Sequence, residues 1–336
     1  MNEQALDIAS LEREFLGYAI AQAHPKVREW RGEGFEPDMQ EATAAALRMI
    51  TDDADAQRIA EVMHALALPA PCYKGRLLTV GDLRLIAHID FPDASGDFPF
   101  VEVRCANLPL GSIADWPSLS AGLACAFREF RPRALYFFHP AHLPLRAPTT
   151  RADMHFLAAP ARSMAKRPDA SGLDRIELRR STSLDFYQRY EAAYDQMLGE
   201  RPHLRGDVKV ESRETLAACL EEGLLSEVFV DGAWCGLIAA RRDMIAGVRG
   251  IHVVEIVLTK GARGQGLGVA VHQRFARCVY ETDPAAIMIG TISPNNAPSL
   301  LTASRAGRLE IGAYHWVDLQ SPADGFGGLR SQWFFS

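Results

Sequence analysis

Several features that would narrow the function at once are scarce or missing. The chain holds six cysteines (Cys72, Cys105, Cys125, Cys219, Cys235 and Cys278), and no two form a Cys-x-x-Cys pair. That excludes the usual thiolate zinc site and the thioredoxin-type redox pair. Several sit in apolar runs, where a free cysteine behaves as a small hydrophobe; this usage is expected in a reducing compartment. Basic residues are not in excess: 36 Lys and Arg face 42 Asp and Glu, a formal net charge of -6. No nucleic-acid partner and no membrane surface are therefore expected, because phosphate neutralisation needs surplus cations. No apolar run reaches the roughly 18 residues of a membrane span. The N-terminus carries Glu3, Asp7, Glu12 and Glu14 where a secretory signal would be basic and then apolar. The expected setting is the cytoplasm. His139, His142 and His155 do not fall at His-x-x-x-His spacing on an expected helix, so no metal is expected.

The chain that is present has 336 residues, 48% apolar and 23% charged. This is a globular composition, long enough for about two domains. Residues 1–68 read as a helical segment: Leu6, Leu11, Phe15, Ala19 and Ile20 recur at helical spacing up to Pro25, and further helices follow Pro37 with a break near Thr51-Asp52-Asp53. Residues 69–160 read as a smaller α/β domain, with a hairpin around Gly81-Asp82, a strand near Phe100–Cys105, a helix over 117–130 and a buried strand over 134–138. The turn-rich stretch 160–173 reads as the linker. Residues 174–336 alternate strands and helices, with a hairpin at Asp231-Gly232 and a last strand at 329–335. The expected fold is α/β, with a mixed central sheet and flanking helices. Hairpin, strand, helix and strand over 76–139 echo 225–292, which would make the first half a degenerate copy of the second.

The sharpest feature is Arg263-Gly264-Gln265-Gly266-Leu267-Gly268, between a near-continuous apolar strand at 251–258 and a helix from about Leu267. Glycines there let successive N–H groups face one concavity. The first turn of the helix adds unpaired N–H groups and a positive dipole end. Together these can seat a pyrophosphate. The dinucleotide pattern Gly-x-Gly-x-x-Gly fails, since Val269 or Val271 would be its last glycine, and no Gly-Lys-Ser/Thr follows for a P-loop.

What remains, Arg-x-x-Gly-x-Gly at a strand-to-helix turn, resembles the motif of the GCN5-related N-acetyltransferase (GNAT) family. Asn296, Ser299, Arg305 and Gly307 fall at the offsets of that family's second motif, and the resemblance covers about residues 174–336. It implies an acyl-CoA N-acyltransferase fold with acetyl-CoA as co-substrate. The pyrophosphate would lie on Arg263, Gly264, Gln265, Gly266, Leu267, Gly268 and Val269. The pantetheine arm would lie along Ile256, Val257 and Leu258, with the Leu258 N–H as oxyanion donor. Asn296 and Ser299 would approach the thioester.

An amine acceptor must lose a proton before it attacks. Two polar residues interrupt the apolar strand, His252 and Glu255. Burial would raise a glutamate towards the working pH, so Glu255 is the first candidate base and His252 the second. A salt bridge from Glu255 to Arg241 or Arg242 is the bland alternative. The family often places a tyrosine seven residues after the Asn, as acid for the leaving thiolate. Here that residue is Ala303, which leaves Tyr314, Ser299 or Ser304 as substitutes. Tyr187, Tyr190 and Tyr194 share one helical face, and Tyr187 and Tyr190 are candidate walls for a small-molecule or peptide amine. The rival readings are a non-catalytic acyl-CoA sensor or scaffold, and an aminoacyl-tRNA-dependent relative; the chain's acidity and its intact glycine turn speak against the latter.

Overall fold

The computed structural model describes residues 7–93, 95–147 and 150–319, so the strand expected at 329–335 lies outside the described residues. These residues form two compact units. One takes the chain up to Asp153 and again from Gly312; the other is Met154–Ile311.

In the first unit come α1 (Ile8–Gln22), α2 (Pro25–Arg31), α3 (Phe35–Thr51) and α4 (Asp53–Val62). Asp7 caps α1 by accepting the Ser10 N–H. Pro25 opens α2, where its missing N–H has no cost, so it starts a helix as well as ending one. Asp52 accepts the Ala54 N–H and makes the expected break between α3 and α4. The strands β1 (Arg76–Val80), β2 (Leu83–Asp90) and β3 (Phe100–Ala106) form an antiparallel meander. After α5 (Trp116–Ala126), β4 (Ala134–Pro140) returns parallel to β3.

The chain enters the second unit within β5 (Arg151–Pro160). There follow α6 (Ala161–Ala165), β6 (Ile176–Arg180), α7 (Tyr187–Glu200), α8 (Arg213–Glu221), β7 (Leu225–Val230), β8 (Ala233–Ile245), β9 (Val248–Leu258), α9 (Leu267–Thr282), β10 (Ile287–Ile292) and α10 (Ala297–Arg305). Then β11 (Leu309–Asp318) leads back to the first unit and pairs antiparallel with β4, Gly312 opposite Pro140. The second unit's sheet runs β5-β10-β9-β8-β7-β6, with only the β9–β10 pair parallel. Asp231 and Gly232 both take positive φ, as the two-residue hairpin turn requires. Ala246 and Gly247 do the same between β8 and β9, a hairpin that carries little sequence signal.

The two faces of this sheet are covered differently. Ile238 and Ala240 pack with Leu267, Ala270, Val271 and Phe275 of α9. Their neighbours Leu237 and Ala239 pack with Tyr190 of α7 and with Leu216 and Cys219 of α8, the alternation a strand imposes. The division between units does not fall in the expected linker. Residues 161–165 are helical, and Ala161 and Met164 are fully buried against α9. Apolar side chains among the polar ones decide this, against the turn composition of the stretch.

Both units share one local device. In β9, Glu255 lies opposite Ala239 and Val253 opposite Ala240, which leaves Val254 as a bulge. In β3, Cys105 lies opposite Ile86 and Val103 opposite Ala87, which leaves Arg104 as a bulge. In each case the parallel neighbour stops pairing at the bulge: the β9–β10 ladder ends at His252–Ile289, the β3–β4 ladder at Val103–Phe137. Among the described residues no helix is long and apolar enough to cross a membrane.

Cutting the chain at the expected linker should therefore fail. A fragment begun at residue 172 lacks β5 and Met164, which exposes the edge of β10 and part of the α9 core. It is expected to aggregate, whereas a fragment of residues 150–311 stays soluble with a cooperative melt by circular dichroism. Equal behaviour of the two fragments would contradict the unit assignment.

Candidate functional site

The second unit gathers most of the expected site around β9. From Val253 onward this strand has β8 on one side and no ladder partner on the other. The Thr259 N–H donates to the Cys235 carbonyl on β8. Alternation along an antiparallel ladder then turns the main-chain groups of Leu258 and Ile256 away from β8, towards the open side. Val257 points the other way: its carbonyl lies 1.9 Å from where a Cβ on Gly236 would stand.

At the end of β9 the chain makes the glycine turn. Gly264 and Gly266 both have φ of 77°, a region that side chains rarely adopt, and a Cβ on either would meet nothing within 4 Å. Gly266 is the N-cap of α9 without a side-chain cap, and Val269 N–H bonds back to the Gly266 carbonyl. The turn is thus an open concavity ahead of a bare helix N-terminus, a fit for an anion. Gly268 has a different role, since a Cβ there would come within 3.0 Å of Thr302, so it lets α9 pack on α10. Leu267 is buried in the core. The Gln265 side chain folds onto the Gly261 carbonyl. Arg263 leans on the last residue of α7, 3.2 Å from Glu200, which Lys260 also contacts.

Glu255 is buried, and its Oε2 accepts from both Tyr190 (2.5 Å) and Tyr194 (2.8 Å). The Tyr190 hydroxyl also accepts the Glu211 N–H, and Tyr187 donates to the Glu211 carbonyl. Burial pushes the Glu255 carboxyl up to about 7, against the two hydroxyl bonds that favour its charge, with Glu211 adding to the rise. The bland alternative does not hold: Arg241 pairs with Asp243 and Arg242 with Glu222. Nor does Tyr190 line an open surface. It is fully buried, and with Tyr194 it holds the carboxylate in place. Tyr194 was legible only as part of the helical stripe, and Glu211, in the stretch before α8, gave no sequence signal.

His252 is also buried and sits 3.1 Å from Asp243, a partner that the sequence reading lacked. Burial lowers its pKa despite the carboxylate. Asn296 is turned inward on its own helix, its Oδ1 accepting the Ser299 N–H as the cap of α10. Ala303 is fully buried. Tyr314 belongs to the first unit, where its ring stacks on Tyr136 at 5.3 Å and meets Phe138 edge-on.

Among its described residues the first unit shows no such glycine turn leading from a strand into a helix. Its helix α5 is capped by Asp115, which accepts the Ser118 N–H and sets a negative charge at the helix start. It does hold one group close enough for a metal ion, His88, Asp90 and Glu102, which the sequence reading did not foresee. Burial raises the Glu102 carboxyl, but Arg104 and His88 outweigh it and hold it at about 2.

The chain is similar to GCN5-related N-acetyltransferases. Solved structures alike in fold include a GNAT-family acetyltransferase from Colwellia psychrerythraea (11% identity, TM-score 0.47, 79% of this chain and 95% of that one). A GCN5-related N-acetyltransferase from Kribbella flavida follows (13%, 0.42, 78% and 95%). A tandem GNAT protein of the clavulanic acid biosynthesis pathway is a third (12%, 0.41, 81% and 97%). No family model and no curated protein matches the chain.

The raised Glu255 carboxyl has a consequence for stability. Its folded value, about 7, lies above the ordinary 4.5, so the fold favours the protonated form. This contribution is fully present below the ordinary value and is lost as pH rises through 7; above that, the buried carboxylate costs about 3 kcal/mol. Glu255→Gln is expected to melt above the parent chain at pH 8.5, by about 5 °C, and to converge with it at pH 5. A gap that does not change with pH would contradict the burial account.

Proposed function

We propose that the second unit transfers an acyl group from an acyl-CoA thioester to an amine by direct attack. The observation that carries this is the combination, on one strand, of an unpaired edge ending in an open anion seat and a buried carboxylate that titrates near neutrality. The amides of Gly264–Gly268 would hold the pyrophosphate, and the open main-chain groups of Ile256 and Leu258 the pantetheine arm. The amine nitrogen would bond to the thioester carbon, the carbon–sulfur bond would break, and CoA would leave as thiolate. A thiol of ordinary pKa near 8.5 leaves without a dedicated acid, which suits Ala303 where a tyrosine is usual. The proton lost by nitrogen would pass to Glu255. Because both tyrosine hydroxyls cover its Oε2, it would arrive through a hydroxyl or a water and not by direct contact with a bulky acceptor.

The same strand geometry supports reading the first unit as a degenerate copy. Bulge and parting of strands recur at matching places, while Asp115 stands at the helix start where the second unit has bare amides. Such a copy would keep the sheet and not the phosphate seat.

Two variants test this reading. Gly266→Val should lose CoA affinity at least tenfold by calorimetry, since valine does not adopt the required φ; parental affinity in the folded variant would remove the seat from the turn. Glu255→Gln should bind acyl-CoA normally yet turn over about 100-fold more slowly, a typical general-base loss. The rate of the parent chain should climb through pH 7 and that climb should vanish in the variant. A loss below about threefold would move the proton to His252 or to solvent. Binding without thiol release from any of a broad amine pool would favour the sensor reading.

A further inference from the structure

Directly after α10 and Gly307 the chain carries Arg308, whose side chain is buried where few guanidinium groups are. Its Nε and Nη2 have no hydrogen-bond partner among the described residues, and no carboxylate there pairs with it. Burial alone pushes it down to about 10, with no charge holding it up. A buried cation without a partner is costly, and natural structures keep one where something else supplies the charge.

Its location narrows what that is. A Cβ on Gly290 would lie 2.8 Å from Nη1 of Arg308 and 3.5 Å from the Val253 carbonyl. Gly290 and Val253 are the first residues of β10 and β9 beyond their last paired residues, Ile289 and His252. The guanidinium therefore sits at the apex where the two strands part, in room that a glycine leaves. His272 of α9 is buried nearby, its Nδ1 also unpartnered and its pKa well lowered by burial and by Arg308. No hydrogen bond joins the two, and a neutral imidazole brings no negative charge to the guanidinium. The glycine turn lies beyond the opposite end of this open stretch. From Leu258 back to Val253 the strand spans about 17 Å, a length comparable to an extended pantetheine arm. A thioester seated by its pyrophosphate on the turn would bring its sulfur near the bulge, and whatever the sulfur carries would reach the apex.

We propose that Arg308 is the counter-charge for a carboxylate at the far end of the acyl group, so that the donor is the CoA thioester of a short dicarboxylic acid. The inference rests on the acyl-CoA reading of the same site. The terminal carboxylate would pair with the guanidinium, while a neutral acyl chain would leave it without a counter-charge. Hydrogen bonds between charged partners in such a place discriminate about tenfold or more.

Calorimetric titration of the full chain with CoA, acetyl-CoA, butyryl-CoA, malonyl-CoA and succinyl-CoA tests this. Malonyl-CoA or succinyl-CoA is expected to bind about tenfold or more tighter than butyryl-CoA. In Arg308→Met that ratio should fall to near one while CoA itself binds as before. The ratio in the parent chain decides even if the variant fails to fold. Equal affinity for the dicarboxylic and butyryl thioesters, with CoA bound, would overturn this inference and leave the acyl-CoA reading standing. No binding by CoA or any thioester would overturn both. A preference for acetyl-CoA, with turnover confined to carboxylated amines and dependent on Arg308, would overturn the donor assignment and move the carboxylate to the acceptor.

Discussion

The site depends on β9 losing its neighbour halfway along. Up to His252 it is an interior strand with ladders on both sides; past the bulge at Val254 it keeps β8 and parts from β10. A parted strand has main-chain donors and acceptors that no neighbouring strand takes up, and such groups need a partner. The bulge also sets where side chains go. Val253 and Ile256 face α9, whereas Glu255 and Val257 face α7 and α8. One extra residue thus delivers a carboxylate to the tyrosines, opens an edge, and aims the chain into the glycine turn.

Around that strand, burial converts ordinary groups into unusual ones. Glu255 is pushed towards neutrality because burial strips it of water, and the two tyrosine hydroxyls offset this only in part. His252 and His272 are pushed the other way by the same cause. In the first unit the region around its own bulge is settled differently: Arg104, the bulged residue, pairs with Glu102 and keeps it ionised. The same backbone device therefore carries a poised acid in one unit and a neutralised ion pair in the other.

Much of this was legible in the sequence where a local rule suffices. Leu225–Val230 alternates and ends in Asp231-Gly232, so its limits could be read directly, and the glycine turn announced itself by composition. Pairings over long distance were not legible. Nothing near residues 309–318 says that β11 pairs with β4, and the polar texture of 160–173 hid Met164 inside a core. The Tyr190–Tyr194 spacing marks a helix face, but only tertiary packing aims it at Glu255. Arg308 was invisible as a site because burial of a charged residue between Gly307 and Leu309 has no local signature. The strand's apolar run did mark Glu255 as out of place, and that anomaly proved the most informative residue-level signal.

The most direct test of the account is backbone amide hydrogen exchange of the full chain with and without CoA, followed peptide by peptide. Ligand contact with the open edge of β9 and the bare turn predicts slowed exchange at Ile256, Leu258 and residues 264–268, and none in α5 of the first unit. Unchanged exchange across residues 256–268 at saturating CoA, or protection confined to the first unit, would contradict it.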